Sequence, residues 1–139
     1  MSQIKAMSLD TLPRPLEAAI RIAESNVDYP KFRLGSVIVK GGRYLSVGWS
    51  KLHTHPSQVS DDQHRQCRVA THAEAHAINM CGDPKNATIY VARVGRNGQI
   101  GLSKPCAKCM EAIINAGIKK VVYTASPTTY EEFRTSRSL

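Results

Sequence analysis

The chain has 139 residues and a formal net charge of +8 at pH 7, enough for one domain around a single core and too short for two. It holds no run of about 18 apolar residues that could span a bilayer, and its first residues lack the basic-then-apolar layout of a secretory signal; a cytoplasmic protein with no membrane partner is expected. The excess of Lys and Arg favours anionic partners, a phosphorylated small molecule or nucleic acid, or else is only a basic surface, and its spread along the chain without a dense block weakens the nucleic-acid reading.

Residues 1–12 read as a flexible lead. From Pro13 or Pro15, LEAAIRIAESN carries apolar residues at Leu16, Ala19, Ile20 and Ala23, the stripe of an amphipathic helix. Leu34 to Val39, the pair Gly41-Gly42 and Arg43 to Trp49 read as a hairpin. Residues 50–70 are polar and unpatterned, and long irregular stretches in compact domains tend to be functional. THAEAHAINMCG predicts a helix with Thr71 as its cap and Gly82 at its close. ATIYVARV predicts a buried strand and PCAKCMEAIINAG a second helix, entered at Pro105 and left at Gly117. IKKVVYT is a further strand, and the tail offers an antiparallel partner for it at Tyr130 to Arg134. The order α-β-β-α-β-α-β predicts one domain over 1–139, a three-layer α/β/α sandwich with helices on both faces of a mixed sheet of four to five strands.

The chemistry sits at two helix starts, His72-Ala73-Glu74 and Pro105-Cys106-Ala107-Lys108-Cys109. Cysteines three apart on a helix share a face, so both sulfurs can reach one ion. A helix N-terminus favours the thiolate that binds metal. His72 from the other helix supplies a third ligand, and three protein ligands leave a fourth zinc position for water, as catalytic sites do. Glu74, two residues from His72, can lie beside the metal without binding it and move protons as a general acid–base. The alternative is a zinc staple of Cys106, Cys109 and His72 with Glu74 in solvent. A fourth ligand at structural spacing is not evident. H-x-E on one helix and P-C-x-x-C on the next, with a strand between, is the signature of zinc nucleobase deaminases.

On these motifs the chain resembles the cytidine and deoxycytidylate deaminase superfamily from about Leu16 to Thr124. CMEAIINAGIKKVVYT is similar to the segment after the second motif in deoxycytidylate deaminases, and YPKFRLGSVIV is more like free-nucleoside cytidine deaminases. The resemblance implies the cytidine-deaminase-like fold, one catalytic zinc on His72, Cys106 and Cys109, and Glu74 as proton shuttle. It implies hydrolytic deamination of a cytosine nucleoside or nucleotide, deoxycytidylate preferred, with bases in single-stranded nucleic acid as the other substrate class. It further implies that the backbone at Ala73 and Glu74 meets the base carbonyl, that the Ser103 carbonyl meets the exocyclic amine, and that the assembly is a homo-oligomer. The family's asparagine after the second strand is here Ser50, which leaves the usual sugar contact without its residue and sets residues 50–70 beside the active site.

Other residues have two readings. His53, His55, His64 and Cys67 form a second, structural zinc site or an incidental polar loop. Lys51, Arg65, Arg68 and Lys104 contact a substrate phosphate or are solvated charges. His76 touches substrate or packs, Trp49 lines the pocket or the core, and Cys81 reads as a small buried hydrophobe.

Overall fold

The computed structural model describes residues 5–8, 12–26, 33–52 and 70–135. Two β-strands lead and follow the first helix: β1 is Lys5–Ser8, α1 is Arg14–Glu24 and β2 is Arg33–Lys40. Then come β3, Arg43–Trp49, and the short β4 and β5, Lys51–Leu52 and Ala70–Thr71. The second half holds α2 (Ala73–Met80), β6 (Thr88–Val94), β7 (Ile100–Gly101), α3 (Ala107–Asn115), β8 (Lys120–Thr124) and β9 (Thr129–Arg134). Helix α1 starts where a proline-bearing first turn is pre-shaped for helix, with Pro13 as its cap. Its stripe of Leu16, Ala19, Ile20 and Ala23 is wholly buried.

The main sheet runs β1-β9-β8-β6-β2-β3, with β7 pairing β6. The central step, β6 to β8, is parallel and is spanned by α3; the other pairings are antiparallel. Side chains alternate across it. Ile38, Ile89, Val91, Val121 and Tyr123 share one core with Ala77 of α2 and Ile113 of α3. Val37, Ala92 and Val94 face the other way, against Ala19, Ile20 and Ala23 of α1. This is the three-layer α/β/α sandwich that the element order predicts. The proposed hairpin at the end of the chain is present as β8–β9, with Val121 opposite Phe133 and Thr124 opposite Tyr130.

Four readings change. Lys5–Ser8, read as part of a flexible lead, is an edge strand paired with β9 from Lys5↔Glu132 to Ser8↔Thr129. With β1 and the two-residue β7, the sheet exceeds the four to five strands expected. The cap of α2 is His72, in extended conformation (φ −76°, ψ 149°), in place of Thr71, which belongs to β5. Residues 50–70 are not wholly irregular either: β4 and β5 pair antiparallel, Lys51 opposite Thr71 and Leu52 opposite Ala70. The rest of that stretch lies outside the described residues.

Two glycines let the helices approach. At Gly35 a Cβ would fall 2.5 Å from the Ala19 carbonyl oxygen of α1. At Gly48 it would fall 2.5 Å from the Ala77 amide nitrogen and closer still to the Ala73 carbonyl oxygen. Both obstacles at Gly48 are backbone of α2, so the helix would have to move as a body. Two serines on the same face fix its depth: Ser36 Oγ donates to the Ala73 carbonyl at 2.8 Å and Ser46 Oγ to the Ala77 carbonyl at 2.7 Å. Gly48→Ala is therefore expected to destabilise the fold by about 1–3 kcal/mol, measured by denaturant unfolding, and to weaken zinc retention, because His72 rides on the displaced helix. Unchanged stability would show that the contact yields without cost.

Candidate metal centre and its surroundings

Each of the three candidate ligands stands at the first turn of a helix. His72 caps α2; Cys106 caps α3 in extended conformation (φ −71°, ψ 172°), and Cys109 lies in the first turn beyond it. A cap residue and the residue three places on stand on the same side of a helix start, where each can reach the other's backbone amide. Here that pair is two thiols. His72 Nδ1 lies 3.1 Å from Cys109 Sγ and 3.7 Å from Cys106 Sγ. The ligand atoms of all three residues fall within 4.8 Å of one another, a group placed to hold one metal ion.

The electrostatics agree with that use. The Cys106 thiol is held down to about 3, first by its hydrogen bond with Cys109 and next by that with His72. The His72 imidazole is pushed above its ordinary value, chiefly by the Cys106 hydrogen bond, against the opposing effect of burial. Glu74 is only 2% exposed. Burial raises its carboxyl above the usual carboxylate range, while a hydrogen bond from its own backbone, then the His72 charge and a hydrogen bond from Cys109, pull the other way. Its Oε1 has no hydrogen-bond partner among the described residues. Native proteins rarely leave a buried carboxylate oxygen unserved, and this one sits beside the imidazole and thiols. The donor set of one nitrogen and two sulfurs suits zinc.

The remaining candidates are distributed around this group. Ala73 is fully buried and its carbonyl is taken by Ser36. Ser103 is buried and locked: its amide donates to the Thr124 carbonyl at 2.8 Å, and its Oγ lies 2.8 Å from both the Val91 carbonyl and Thr124 Oγ1. It also accepts from the Thr124 amide at 2.9 Å. That lock holds the segment leading into Cys106. Ser50 is buried beside Asn26, and Trp49 packs edge-on to His76. Lys104 is exposed. Cys81 is half-buried against the core of the α2–α3 face. His53, His55, His64, Cys67, Arg65 and Arg68 lie outside the described residues, as does the side chain of Lys51.

Sequence reasoning missed Ser36, Ser46, Gly48, Asn26 and Lys108. The first three are small or polar positions inside otherwise apolar strands, a signal of close approach. Lys108, in the first turn of α3, acts on the His72 charge and lowers its proton affinity.

An imidazole and two thiols converging at helix starts, on a mixed sheet covered on both faces, define a zinc-binding α/β domain. The family model described as the cytidine and deoxycytidylate deaminase zinc-binding region matches residues 11–125, and the chain belongs to that family. Deoxycytidylate deaminase of Saccharomyces cerevisiae is 27% identical over 114 residues, covering 80% of this chain and 36% of the yeast protein. ComE operon protein 2 of Bacillus subtilis is 31% identical over 111 residues, 73% of this chain and 52% of that protein. The chain thus spans between about a third and about a half of the length of these relatives. Among solved structures, dCMP deaminase from the cyanophage S-TIM5 has a TM-score of 0.57 at 19% identity, covering 78% of each chain. Cytidine deaminase from Burkholderia pseudomallei has a TM-score of 0.54 at 20% identity, over 78% of this chain and 80% of that one. These two likenesses bear on the fold. No helix among the described residues is long and apolar enough to cross a membrane.

A thiol held near 3 is thiolate at all pH values above that, and only falling pH approaching 3 protonates it. In zinc-stripped protein, iodoacetamide is expected to label Cys106 at pH 5, where a free cysteine, with its pKa of about 8.5, is almost wholly protonated. Zinc should block the labelling. Mass spectrometry of the peptide checks both; labelling that switches on only above pH 8 would contradict the ion-paired thiolate.

Proposed function

We propose that the chain catalyses the zinc-dependent hydrolytic deamination of a cytosine nucleoside or nucleotide, deoxycytidylate by preference, giving the uracil product and ammonia. The observation that carries this reading is the buried, unpartnered Oε1 of Glu74 beside His72, Cys106 and Cys109. A structural zinc staple has no use for a carboxylate held there at the cost of desolvation. A deaminase needs it.

His72, Cys106 and Cys109 would hold the zinc, which supplies the Lewis acidity that makes water nucleophilic near neutral pH. Glu74 takes a proton from the attacking water and delivers it to the ring nitrogen; it then carries the second proton to the amine, which leaves as ammonia. A carboxyl whose proton affinity is raised by burial can both take up and give back a proton in that transfer. The first amide groups of α2, at Ala73 and Glu74, lack intrahelical acceptors as at any helix start, and they are suited to donate to the base carbonyl. The Ser103 carbonyl would accept from the exocyclic amine, and the Ser103–Thr124 lock would keep it in place. Trp49 and Ser50, at the end of β3, would form the wall on the sugar side. Lys104, exposed ahead of Cys106, would meet a phosphate. The yeast relative's activity and the net positive charge support a phosphorylated substrate.

Zinc-loaded protein incubated with cytidine, deoxycytidine, CMP, dCMP and dCTP should release the uracil product, fastest from dCMP. Glu74→Gln should keep one zinc per chain and normal unfolding while lowering kcat about 10²–10⁴-fold, the usual worth of a general acid–base group. Activity confined to cytosine or adenine in single-stranded oligonucleotides would replace the free nucleotide by nucleic acid; silence on every substrate would remove the deaminase reading.

A further inference from the structure

The end of β3 is gripped from both layers of helix. Asn26 follows the last turn of α1 and is buried. Its Nδ2 donates to the Ser50 carbonyl and to Ser50 Oγ, each at 2.9 Å, and reaches the Leu34 carbonyl at 3.4 Å. The Leu34 amide donates to Ser50 Oγ at 3.1 Å, and the Ser50 amide donates back to the Leu34 carbonyl at 3.2 Å. From the opposite layer, His76 brings Nδ1 to 3.2 Å from both the amide nitrogen and the carbonyl oxygen of Trp49. Its ring meets the indole with centroids 4.4 Å apart and planes at 73°.

Neither grip is needed to close a core. Hydrogen bonds only offset the desolvation of a buried amide such as Asn26, and an apolar residue would end α1 at less cost. β3 is the outermost strand of its side of the sheet, so a histidine on its backbone at Trp49 fastens the end of a strand that has no neighbour beyond it among the described residues. The residue before, Gly48, lies against the backbone of Ala73. The Trp49–Ser50 ledge is therefore one residue from the helix turn that carries His72 and Glu74.

We propose that Asn26 and His76 are positioning residues that together hold this ledge as the specificity element for the sugar side of the substrate, an inference that rests on the deaminase reading above. Each acts through the ledge and not on the reacting atoms. An interaction made to the unreactive part of a substrate, equal in ground and transition state, appears in KM and leaves kcat.

Trp49 is the only tryptophan, so its emission reports the ledge directly. Asn26→Asp keeps the side-chain shape and removes the donor. His76→Ala removes the second grip, and His76→Gln keeps a neutral side chain able to bond the same backbone. With zinc-loaded protein and the cytosine compound that the wild type turns over best, Asn26→Asp and His76→Ala should raise KM about tenfold with kcat within about twofold. Both should shift the Trp49 emission maximum, and His76→Gln should restore most of KM and of the emission. Unmoved KM in an active enzyme overturns the proposal, as does a loss confined to kcat. If Asn26→Asp does not fold, the two His76 variants decide. A wild type inactive on every cytosine compound removes the deaminase reading and this inference with it, whereas an active wild type with indifferent variants removes the inference alone.

Discussion

A three-ligand metal site built from two helices requires their N-termini to meet within a few ångströms, and side chains alone cannot arrange that. The backbone of α2 has to lie directly on the sheet. Gly48 removes the side chain that would stand between strand and helix, and Ser36 and Ser46 hold two of its carbonyls at fixed depth. On the other side, the crossover from β6 to β8 carries α3 to the same end of the sheet, and the Ser103–Thr124 lock sets where its first residue begins. His72 and Cys106 are both cap residues with extended backbone, so they project from the helix starts. Remove the close contact at Gly48 and every distance in the group becomes adjustable.

The same geometry explains why the group is charged as it is. Two thiols and an imidazole this close share protons, and the helix starts favour the anionic sulfur. Glu74 is pressed into the same turn by the burial of α2, which raises its proton affinity. The buried carboxylate and the metal-binding group are thus consequences of one packing event. Stability and chemistry are coupled through it, since whatever loosens α2 from the sheet loosens both.

Much of this was legible before any coordinates. The α1 stripe, the Gly41-Gly42 hairpin turn and the parallel step across α3 follow from apolar spacing and turn residues, and these decide the layers. The ligand triad was legible from residue types and spacing alone. Other features were hidden for physical reasons. Lys5–Ser8 has no alternating pattern, and its strand state comes from the open edge of β9, which lies at the far end of the chain. Thr71 is the better cap by composition, but the sheet contact with β4 claims it and moves the helix start to His72. Asn26 reads as the start of a connector, and nothing local shows that its amide serves Ser50. Such pairings depend on which layer lies above which, and they become visible only after the fold is known.

The pairing of β1 with β9 joins residue 5 to residue 132, and it bears on how the molecule comes together. Closing so long a loop is entropically unfavourable and gains only the bonds of one short strand. The β8–β9 hairpin, with its local turn, can form first and present a ready edge. On a ribosome Lys5–Ser8 must wait, unpaired, until Thr129–Arg134 has emerged. That edge of the sheet is then completed late, a strand made well before its partner waiting for the partner to arrive.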